Sequence, residues 1–552
     1  MVTNIINRLG QFIVSIILLL LALLWNIGQG LAYSPPIGIP NPWIAPDVAT
    51  KARPDPWTSE QAGYYYVNYQ TGTDSGRAYG TPTAPRRTIP TILAAGSYVE
   101  VHGTYSKLDS GSIIINPQGT ATNPVWIVGI EGDEPTFTGG KVFLYGSYCY
   151  VDNIKVVHNF QIGTPTTGYQ TDYIMIRNSE VTGYSTGKIG GIHIAGSSAN
   201  HISNVIVYNN YVHDIGDIFA STDVDDHSIT CLQFVNHAWI LDNTVHTGGG
   251  TGIALGGTTV DHTYTESSYL YVGRNHVYNV LQAGVATKYS NHVIISENHV
   301  HDIIDSSWSP SKGIGFQYRP HNTWVIFNKI HGQRYGVRGA STDSVVPLNI
   351  YIIGNQIYDI TGFEPDTSTW HEAGIALQGG INRYILNNTI YNVDAGINGS
   401  STEGNYIMEN NIISNVRSSN GNHVWIEYRS SVSELKNSII HQSGFTEKIK
   451  WGSNLYNGLL AFQTATGKGE NSNNNDPLFY DTKSLDFHLQ SSSPAIDSGV
   501  LHEVYTTFFK TYGLSIQKDA NNISRPIGEG MDIGAYEFTD SIVPKIMNIV
   551  IP

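Results

Sequence analysis

Three segments near the middle of the chain share one pattern: WILDNTVHT at residues 239–247, YVGRNHVYN at 271–279 and VIISENHVHD at 293–302. In each, an apolar run typical of a strand is followed by Asn, any residue, and then Val or Ile. The marker asparagines recur at intervals of 23 to 33 residues: Asn210, Asn243, Asn275, Asn298, Asn328, Asn355, Asn388, Asn411 and Asn437. The shortest interval suits one coil of a parallel β-helix, and longer intervals add a loop to that coil. An asparagine at a fixed bend can bond backbone groups and stack on its copy in the next coil, so we interpret these residues as structural.

A second marker lies between the asparagines: Gly, then Ile or Val, then alternating residues. It begins at Gly191, Gly252, Gly284, Gly313, Gly336, Gly374 and Gly396. The two-residue period of a strand turns the first and third residues after Gly, which are mostly apolar, towards the core, and the second and fourth outward. No segment of this stretch sustains a period of 3.6, which excludes helical layers. We therefore predict an all-β fold, a single-stranded right-handed parallel β-helix with a C-terminal capping module.

The first 60 residues predict two segments outside the coils. Arg8 precedes an apolar run over residues 12–25 of about 14 residues, which is short for a membrane span of about 20. We interpret residues 1–32 as a cleaved signal peptide, with an uncleaved anchor as the alternative. Residues 33–60 are rich in proline and predict a linker or an extended wrap.

The β-helix is predicted over residues 61–460 and the capping module over 461–552, where the sequence changes character. Export would permit disulfides, but the only cysteines, Cys149 and Cys231, are several coils apart in this interpretation. They are therefore predicted to be two buried thiols.

The net charge of −15 disfavours a nucleic-acid partner, because phosphate binding needs a basic surface. An acidic polysaccharide is compatible with that charge where a local basic patch binds it. The protein is expected to be secreted or attached to the cell surface, in the periplasmic or extracellular space, with no membrane contact beyond an uncleaved N-terminal anchor.

Stacking the outward positions predicts a groove with Lys288 beside it. The predicted floor consists of small residues: Ala254, Gly256, Ala286, Gly315 and Ala340. Arg319 and Arg338 follow in the next two coils. The residues predicted to contact substrate are His193, Tyr289, Gln317, Tyr318 and His321, since tyrosine rings suit the faces of sugars.

This group of residues suits cleavage of a uronate polymer by β-elimination. The carboxylate beside the acidic C–H must be neutralised, and a base must remove the proton. Lys288 is the candidate base, and Arg319 and Arg338 are the candidate groups that neutralise the carboxylate. The alternative interpretation is that Lys288 is an ordinary solvated lysine.

A second cluster, Asp223, Asp225, Asp226 and His227, precedes the coil of Ala254. The three carboxylates are candidate ligands of Ca²⁺, and Asp225 and Asp226 are also a candidate acid and base for a hydrolase. A polar loop with Asx turns is the structural alternative. Other histidines recur just after the asparagine marker, which favours a role at the bend over a metal site; they are His213, His246, His301 and His331.

The sequence also resembles known families. Residues 64–90 and 96–105 resemble the opening of secreted pectate-lyase-like β-helix proteins. SPAIDSG at 493–499 and DIGAYEF at 532–538 are similar to the closing module of many exported bacterial β-helix proteins.

The nearest catalytic resemblance is to the alginate lyase and chondroitinase B family. VATKYS at 285–290 is similar to its catalytic lysine strand, and IGFQYR at 314–319 to its arginine strand, with Gln317 where the family has arginine. Asp225-Asp226 followed by Ser228-Ile229-Thr230 resembles the paired-aspartate strand of polygalacturonase-type hydrolases. Uronan C5-epimerases share the fold and the proton abstraction.

The resulting hypothesis is an exported polysaccharide lyase. The alternatives are a polygalacturonase-like hydrolase using Asp225 and Asp226, a C5-epimerase, and a non-catalytic glycan-binding surface protein.

Overall fold

The computed structural model describes residues 33–106, 112–130, 132–133, 135–163, 170–184, 190–220, 225–257, 259–260, 263–264, 267–306, 309–340, 349–362, 372–378, 380–400, 404–427 and 432–540. The predicted signal peptide and Asp223 lie outside these residues. Within them, no helix is long and apolar enough to cross a membrane.

The chain forms a right-handed parallel β-helix, in which most strands pair in parallel with the equivalent strand of the next coil. The right-handed course is the one that strand twist favours for parallel crossovers. Each regular coil contributes one strand to each of three faces, named sheets 1, 2 and 3 in chain order.

Sheet 1 contains Tyr64–Asn68, Ile92–Ala94, Tyr98–His102, Val125–Gly129, Ser147–Asp152, Thr171–Arg177, Ile202–Tyr208, Val235–Leu241, Ser267–Gly273, Ser290–Ser296, His321–Ile326, Ile350–Ile353, Asn382–Leu386, Asn405–Glu409 and Glu434–Lys436. Sheet 2 contains Thr104–Ser106, Glu180–Tyr184, Tyr211–Ile215, Thr244–Gly248, His276–Val280, His299–His301, Lys329–His331, Gln356–Tyr358, Thr389–Val393, Ile412–Val416 and Ile439–His441.

Sheet 3 contains Ile192–Ala195, Ile229–Leu232, Ile253–Gly256, Ala283–Lys288, Lys312–Gln317, Tyr335–Ala340, Ile375–Gln378, Ile397–Ser400, Val424–Ile426, Lys448–Trp451 and the antiparallel Asn454–Asn457. Three longer strands in the early coils pass from one face to the next: Ile113–Gln118, Thr136–Leu144 and Lys155–Ile162. Two short hairpins lie outside the coils, Thr259–Val260 with Thr263–Tyr264 and Phe479–Asp481 with Asp486–Leu489. The helices are α1 (Leu459–Thr466) and α2 (Val504–Tyr512).

The bend between sheets 1 and 2 carries the predicted asparagine ladder, which runs from Asn210 through Asn243, Asn275, Asn298, Asn328, Asn355 and Asn388 to Asn411. From Asn243 onward, each side-chain oxygen accepts the backbone N–H and the amide N–H of the ladder asparagine one coil before, for instance 3.0 Å and 2.9 Å from Asn275 to Asn298. Because the ladder is buried, these bonds satisfy backbone groups that the bend would otherwise leave without partners.

The assignment of Asn437 to this ladder is wrong by one residue. Ser438 occupies the ladder position, and its hydroxyl accepts the backbone N–H of Asn411 at 3.2 Å. Asn437 instead takes the left-handed position just before it, with φ of 45°, as Asn410 does one coil earlier with φ of 58°. Asparagine suits both positions, so the letter alone did not fix the register.

The interior between the three sheets is a continuous apolar core that extends to Trp451 and α1. The thiols Cys149 and Cys231 are both free and fully buried in it, as predicted. Helix α1 follows the last coil, and Leu459 and Phe462 add to the end of the core. The capping module is therefore present, and its first element begins two residues before the predicted boundary at 461.

The proline-rich segment 33–60 lies against sheet 1 and so forms an extended wrap, which is one of the two alternatives predicted for it. Ile37 and Ile39 are buried in an aromatic layer on the outer face of that sheet. The indole N–H of Trp239 donates to the carbonyl of Pro40 at 2.9 Å.

The later part of the capping module covers sheet 1 further along. Phe508 of α2 packs edge-on against Trp324, with ring centroids 4.7 Å apart. With sheet 1 covered by these two segments, sheets 2 and 3 carry the exposed candidate sites.

Candidate functional site

The outer face of sheet 3 has the register predicted from the Gly-led strands. One column of outward positions, the floor column, runs coil by coil through His193, Thr230, Ala254, Ala286, Gly315, Arg338, Ala376, Asn398, Trp425 and Lys450. Its three smallest consecutive members, Ala254, Ala286 and Gly315, lie between polar residues on both sides. At about 4.8 Å per coil, Thr230 and Arg338 are about 19 Å apart along the helix axis. The face therefore offers an elongated strip suited to a polymer.

Lys288 lies at the edge of this strip and points outward. Its neighbours Val285 and Thr287 are fully buried, whereas Lys288 is half-buried. It pairs in register with Gly256 before it and Gln317 after it. The side chain is thus directed at the outer face and not into the core.

Two stacked tyrosines form a wall beside Lys288. Tyr289 and Tyr318 lie parallel at the corner after the strands, with ring centroids 5.0 Å apart and planes 5° apart. The Lys288 Nζ is 5.7 Å from the centre of the Tyr318 ring. Lys288, Tyr289, Gln317 and Tyr318, all singled out from the sequence, are therefore brought together.

Arg338 belongs to the floor column, two coils after Lys288. Its guanidinium lies 4.7 Å from the centre of the Tyr335 ring, at the beginning of the same strand. The axial separation from the coil of Lys288 is about 10 Å. Among the described residues, neither cation forms an ion pair with a carboxylate.

Lys312 is a third cation of this strip that the sequence analysis missed. It is buried, and its aliphatic stem crosses the outer side of Gly315, where a Cβ would lie 2.9 Å from Lys312 Cδ. The ammonium donates to Ser309 Oγ at 2.6 Å. The floor at Gly315 is therefore covered by this stem, and a side chain at position 315 would require the Lys312 stem to shift.

Arg319 and His321 lie beyond the tyrosine wall. Three residues lie between Gln317 and His321, whereas two lie between Lys288 and Asn291, so this corner contains one more residue than the preceding one. Burial lowers the pKa of His321, and the charge of Arg319 lowers it further. These two residues are thus close to each other, where the sheet 1 strand of this coil begins.

A polar group occupies the other end of the strip. His193 is buried and hydrogen-bonded through Nδ1 to Thr230 Oγ1. Burial, with the charges of Lys141 and His227, lowers the pKa of His193 to about 4, so the imidazole is neutral at neutral pH. His227 accepts the Thr251 N–H through Nδ1 at 3.0 Å, and its Nε2 is 3.9 Å from Asp225 Oδ1.

The two described aspartates have contrasting environments. The Asp225 side chain is 49% exposed, whereas Asp226 as a residue is 2% exposed. Burial raises the pKa of Asp226, and the charge of Asp225 raises it further. Among the described residues no hydrogen-bond partner reaches Asp226 Oδ1. Such a pair presents one carboxyl that favours protonation beside one in solvent.

The calcium site expected at Asp223, Asp225 and Asp226 stays a prediction, because Asp223 lies outside the described residues. Ca²⁺ takes six to eight oxygen ligands. In the described part of the chain, Asp225 and Asp226 belong to no cluster of three candidate metal ligands. No step of the reaction proposed below passes through calcium.

No protein-family model matches the chain, and no curated protein sequence matches it. Its coils are those of a right-handed parallel β-helix. The complex of XylC with xylose has 12% identity over 86% of this chain and 98% of that chain, with a TM-score of 0.47. The pectate lyase Pel9A has 13% identity over 86% and 96%, with a TM-score of 0.42. The A-module of the Azotobacter vinelandii mannuronan C-5 epimerase AlgE4 has 15% identity over 57% and 89%, with a TM-score of 0.34. These likenesses concern the fold.

Proposed function

We propose that this protein is an exported polysaccharide lyase that cleaves a uronate-containing polymer by β-elimination along the outer face of sheet 3. The observation that carries the proposal is the outward Lys288 beside a strip of small residues, with Arg338 on the same strip. Two cations without carboxylate partners among the described residues suit an anionic chain, although the molecule as a whole is acidic.

The proposed reaction requires few groups. Arg338 pairs with the uronate carboxylate and stabilises the enolate that forms when the adjacent C–H loses its proton. Lys288 is the base that takes this proton. The electron pair of the C–H bond becomes the new C=C bond, the glycosidic C–O bond breaks, and the departing oxygen takes a proton from solvent. Arg319, next to the Tyr318 ring, is the second candidate for a carboxylate contact.

The remaining predicted residues have binding roles in this proposal. Tyr318, whose partly exposed ring stacks on the buried ring of Tyr289, offers an aromatic surface to a sugar, and Gln317 offers an amide in register with Lys288. His193 lies at the other end of the strip, and His321 lies past the tyrosine corner. Secretion into the periplasmic or extracellular space accompanies the proposal, because such polymers are found there.

A panel of polymers tests the reaction class. The purified protein is incubated with polygalacturonate, alginate, chondroitin sulfate and a neutral xylan, and ultraviolet absorbance and reducing ends are followed together. Elimination yields both signals, because each cut creates an unsaturated uronate. Reducing ends without absorbance would refute elimination and indicate hydrolysis. Inverted C5 centres without cleavage would indicate an epimerase, and retention of a polymer without reaction would indicate a binding protein.

Hydrolysis is the second candidate because of the asymmetric aspartate pair. Asp226, whose pKa is raised by burial, suits a general acid, and the exposed Asp225 suits a base or nucleophile. Their coil lies two coils before that of Lys288, about 10 Å along the axis, so the two chemistries use different parts of one strip. Asp226→Asn should abolish reducing ends from a hydrolase, whereas it should leave the absorbance signal of a Lys288-dependent lyase largely intact.

A further inference from the structure

The outer face of sheet 2 carries four imidazoles on three successive coils. His276 pairs in register with His299, and His301 pairs with His331. They occupy two adjacent outward columns, because His276 and His299 begin their strands whereas His301 and His331 end theirs. All four side chains are partly exposed. The name histidine cluster is used for these four residues.

Their ring nitrogens converge across the two columns. His276 Nε2 is 2.8 Å from His301 Nε2, and His299 Nε2 is 3.0 Å from His331 Nε2. His276, His299 and His301 each offer a ligand atom within 4.8 Å of the other two. Three nitrogens from three separate strand positions therefore face one point.

The protonation state leaves lone pairs available. Two imidazole nitrogens can approach to 2.8 Å only when one carries the hydrogen and the other is bare. The bare nitrogen of a neutral imidazole is the atom that binds a metal ion.

Asp302 completes a second feature of metal sites. His301 Nδ1 donates to Asp302 Oδ2 at 2.8 Å, which leaves His301 Nε2 as the nitrogen directed into the cluster. A carboxylate behind a ligating imidazole fixes its tautomer and raises its basicity.

We propose that the histidine cluster binds a divalent transition-metal ion of the Zn²⁺ class, with His276, His299 and His301 as ligands and His331 beside them. In a tetrahedral site with Zn–N bonds of about 2.0 Å, two ligand nitrogens lie about 3.3 Å apart. The His276–His301 pair at 2.8 Å needs to open by about 0.5 Å, and His299 offers its nitrogen within 4.8 Å of both, so small rotations of these partly exposed rings reach that spacing. Imidazole sets of this kind also accept Cu²⁺ and Ni²⁺.

The proposed ion would cross-link consecutive coils. His276, His299 and His331 belong to three successive turns of the solenoid, whose stability comes from contacts between neighbours. An ion held by the folded cluster and not by the unfolded chain raises the unfolding temperature. The site lies on sheet 2, away from the groove on sheet 3, so it is independent of the proposed reaction.

Lys329 opposes the ion and provides an internal check. It stands in register beside His299, so its positive charge lies close to the proposed ion. Replacing it with methionine removes a positive charge next to the proposed ion. Lys329→Met should therefore bind Zn²⁺ more tightly than the natural chain.

The test uses tag-free protein treated with a chelator and then dialysed, titrated with ZnCl₂ by calorimetry. We expect saturable binding of one ion per chain and a rise in the unfolding temperature. His301→Gln, which removes one of the three proposed ligands, should weaken binding at least about tenfold and cancel the thermal shift.

His246→Gln is the matched control, because His246 occupies the same outward column and stacks on Tyr278 but lies outside the cluster. It should keep the affinity of the natural chain. Unfolding in chelator shows that both variants fold. Absence of saturable binding, unchanged affinity in His301→Gln, or equal losses in both variants would each overturn the proposal.

Discussion

Replacing Asn298 with alanine should lower the free energy of unfolding by about 3 kcal/mol. Asn298 is 1% exposed, and its oxygen accepts the Asn275 backbone N–H at 3.0 Å and the Asn275 amide at 2.9 Å. Its own amide donates to Val272 O at 3.0 Å and to Asn328 Oδ1 at 2.9 Å. Alanine leaves the buried Asn275 N–H without this acceptor, and such a group costs about 1–3 kcal/mol, to which the lost amide bonds add.

Asn382→Ala is the matched control. Asn382 belongs to a second row of bonded asparagines at the other end of sheet 1, donating to Asn349 at 2.9 Å and accepting from Asn405 at 3.1 Å. It is half-buried, so water replaces the lost bonds and the cost should stay below about 1 kcal/mol. Equilibrium urea unfolding followed by circular dichroism measures both. Equal losses in the two variants, or a loss below about 1 kcal/mol for Asn298→Ala, would refute the reasoning.

Three further predictions concern buried groups. Burial raises the pKa of both Cys149 and Cys231, so a thiol reagent should label neither in the native protein and both after unfolding; rapid native labelling would contradict their burial. The native pKa of His193 is lowered from 6.5 to about 4, so its contribution to stability is present above 6.5 and lost as the pH falls towards about 4. His193→Gln should flatten that part of the stability–pH curve, and an unchanged slope would be the contrary result. Arg177→Leu removes the buried ion-pair partner of Asp152 and the donor to the carbonyls of Pro46 and Val48 in segment 33–60. The loss should lower the free energy of unfolding by about 3 kcal/mol and speed proteolysis of that segment. Cleavage at the natural rate would argue that Arg177 does not hold the segment in place.

The sequence was sufficient to predict the coils because the same two markers recur in each of them. The Asn marker recurs once per coil, and the Gly-led strands alternate with period two, so Ala286 over Ala254 and Arg338 over Gly315 followed from counting. Counting failed where two adjacent positions accept the same residue, as at Asn437 and Ser438.

Contacts that depend on side-chain direction, or on segments far apart in the chain, could not be predicted from local sequence patterns. The stem of Lys312 crosses Gly315 because of its side-chain direction, which spacing does not specify. The histidines after the marker were interpreted as bend residues, yet they lie on the strands of sheet 2. The proximity of His276 and His299 to them depends on how the two outward columns lie side by side, which the sequence does not specify. The composition of segment 33–60 indicated only that it is rich in proline. Its apolar residues Ile37 and Ile39, which are buried on sheet 1, were the sequence feature that could have indicated packing.

The most direct test of the central claim is the rate of unsaturated product formed from the best uronate polymer by Lys288→Ala. Lys450→Ala is its matched control, since Lys450 lies on the same outer face four coils after Arg338, against Trp425. Loss of the base should reduce the rate at least about a hundredfold in Lys288→Ala, while Lys450→Ala and the unfolding temperatures of both remain near the natural values. A Lys288→Ala variant that forms product at the natural rate would contradict the assignment of Lys288 as the base.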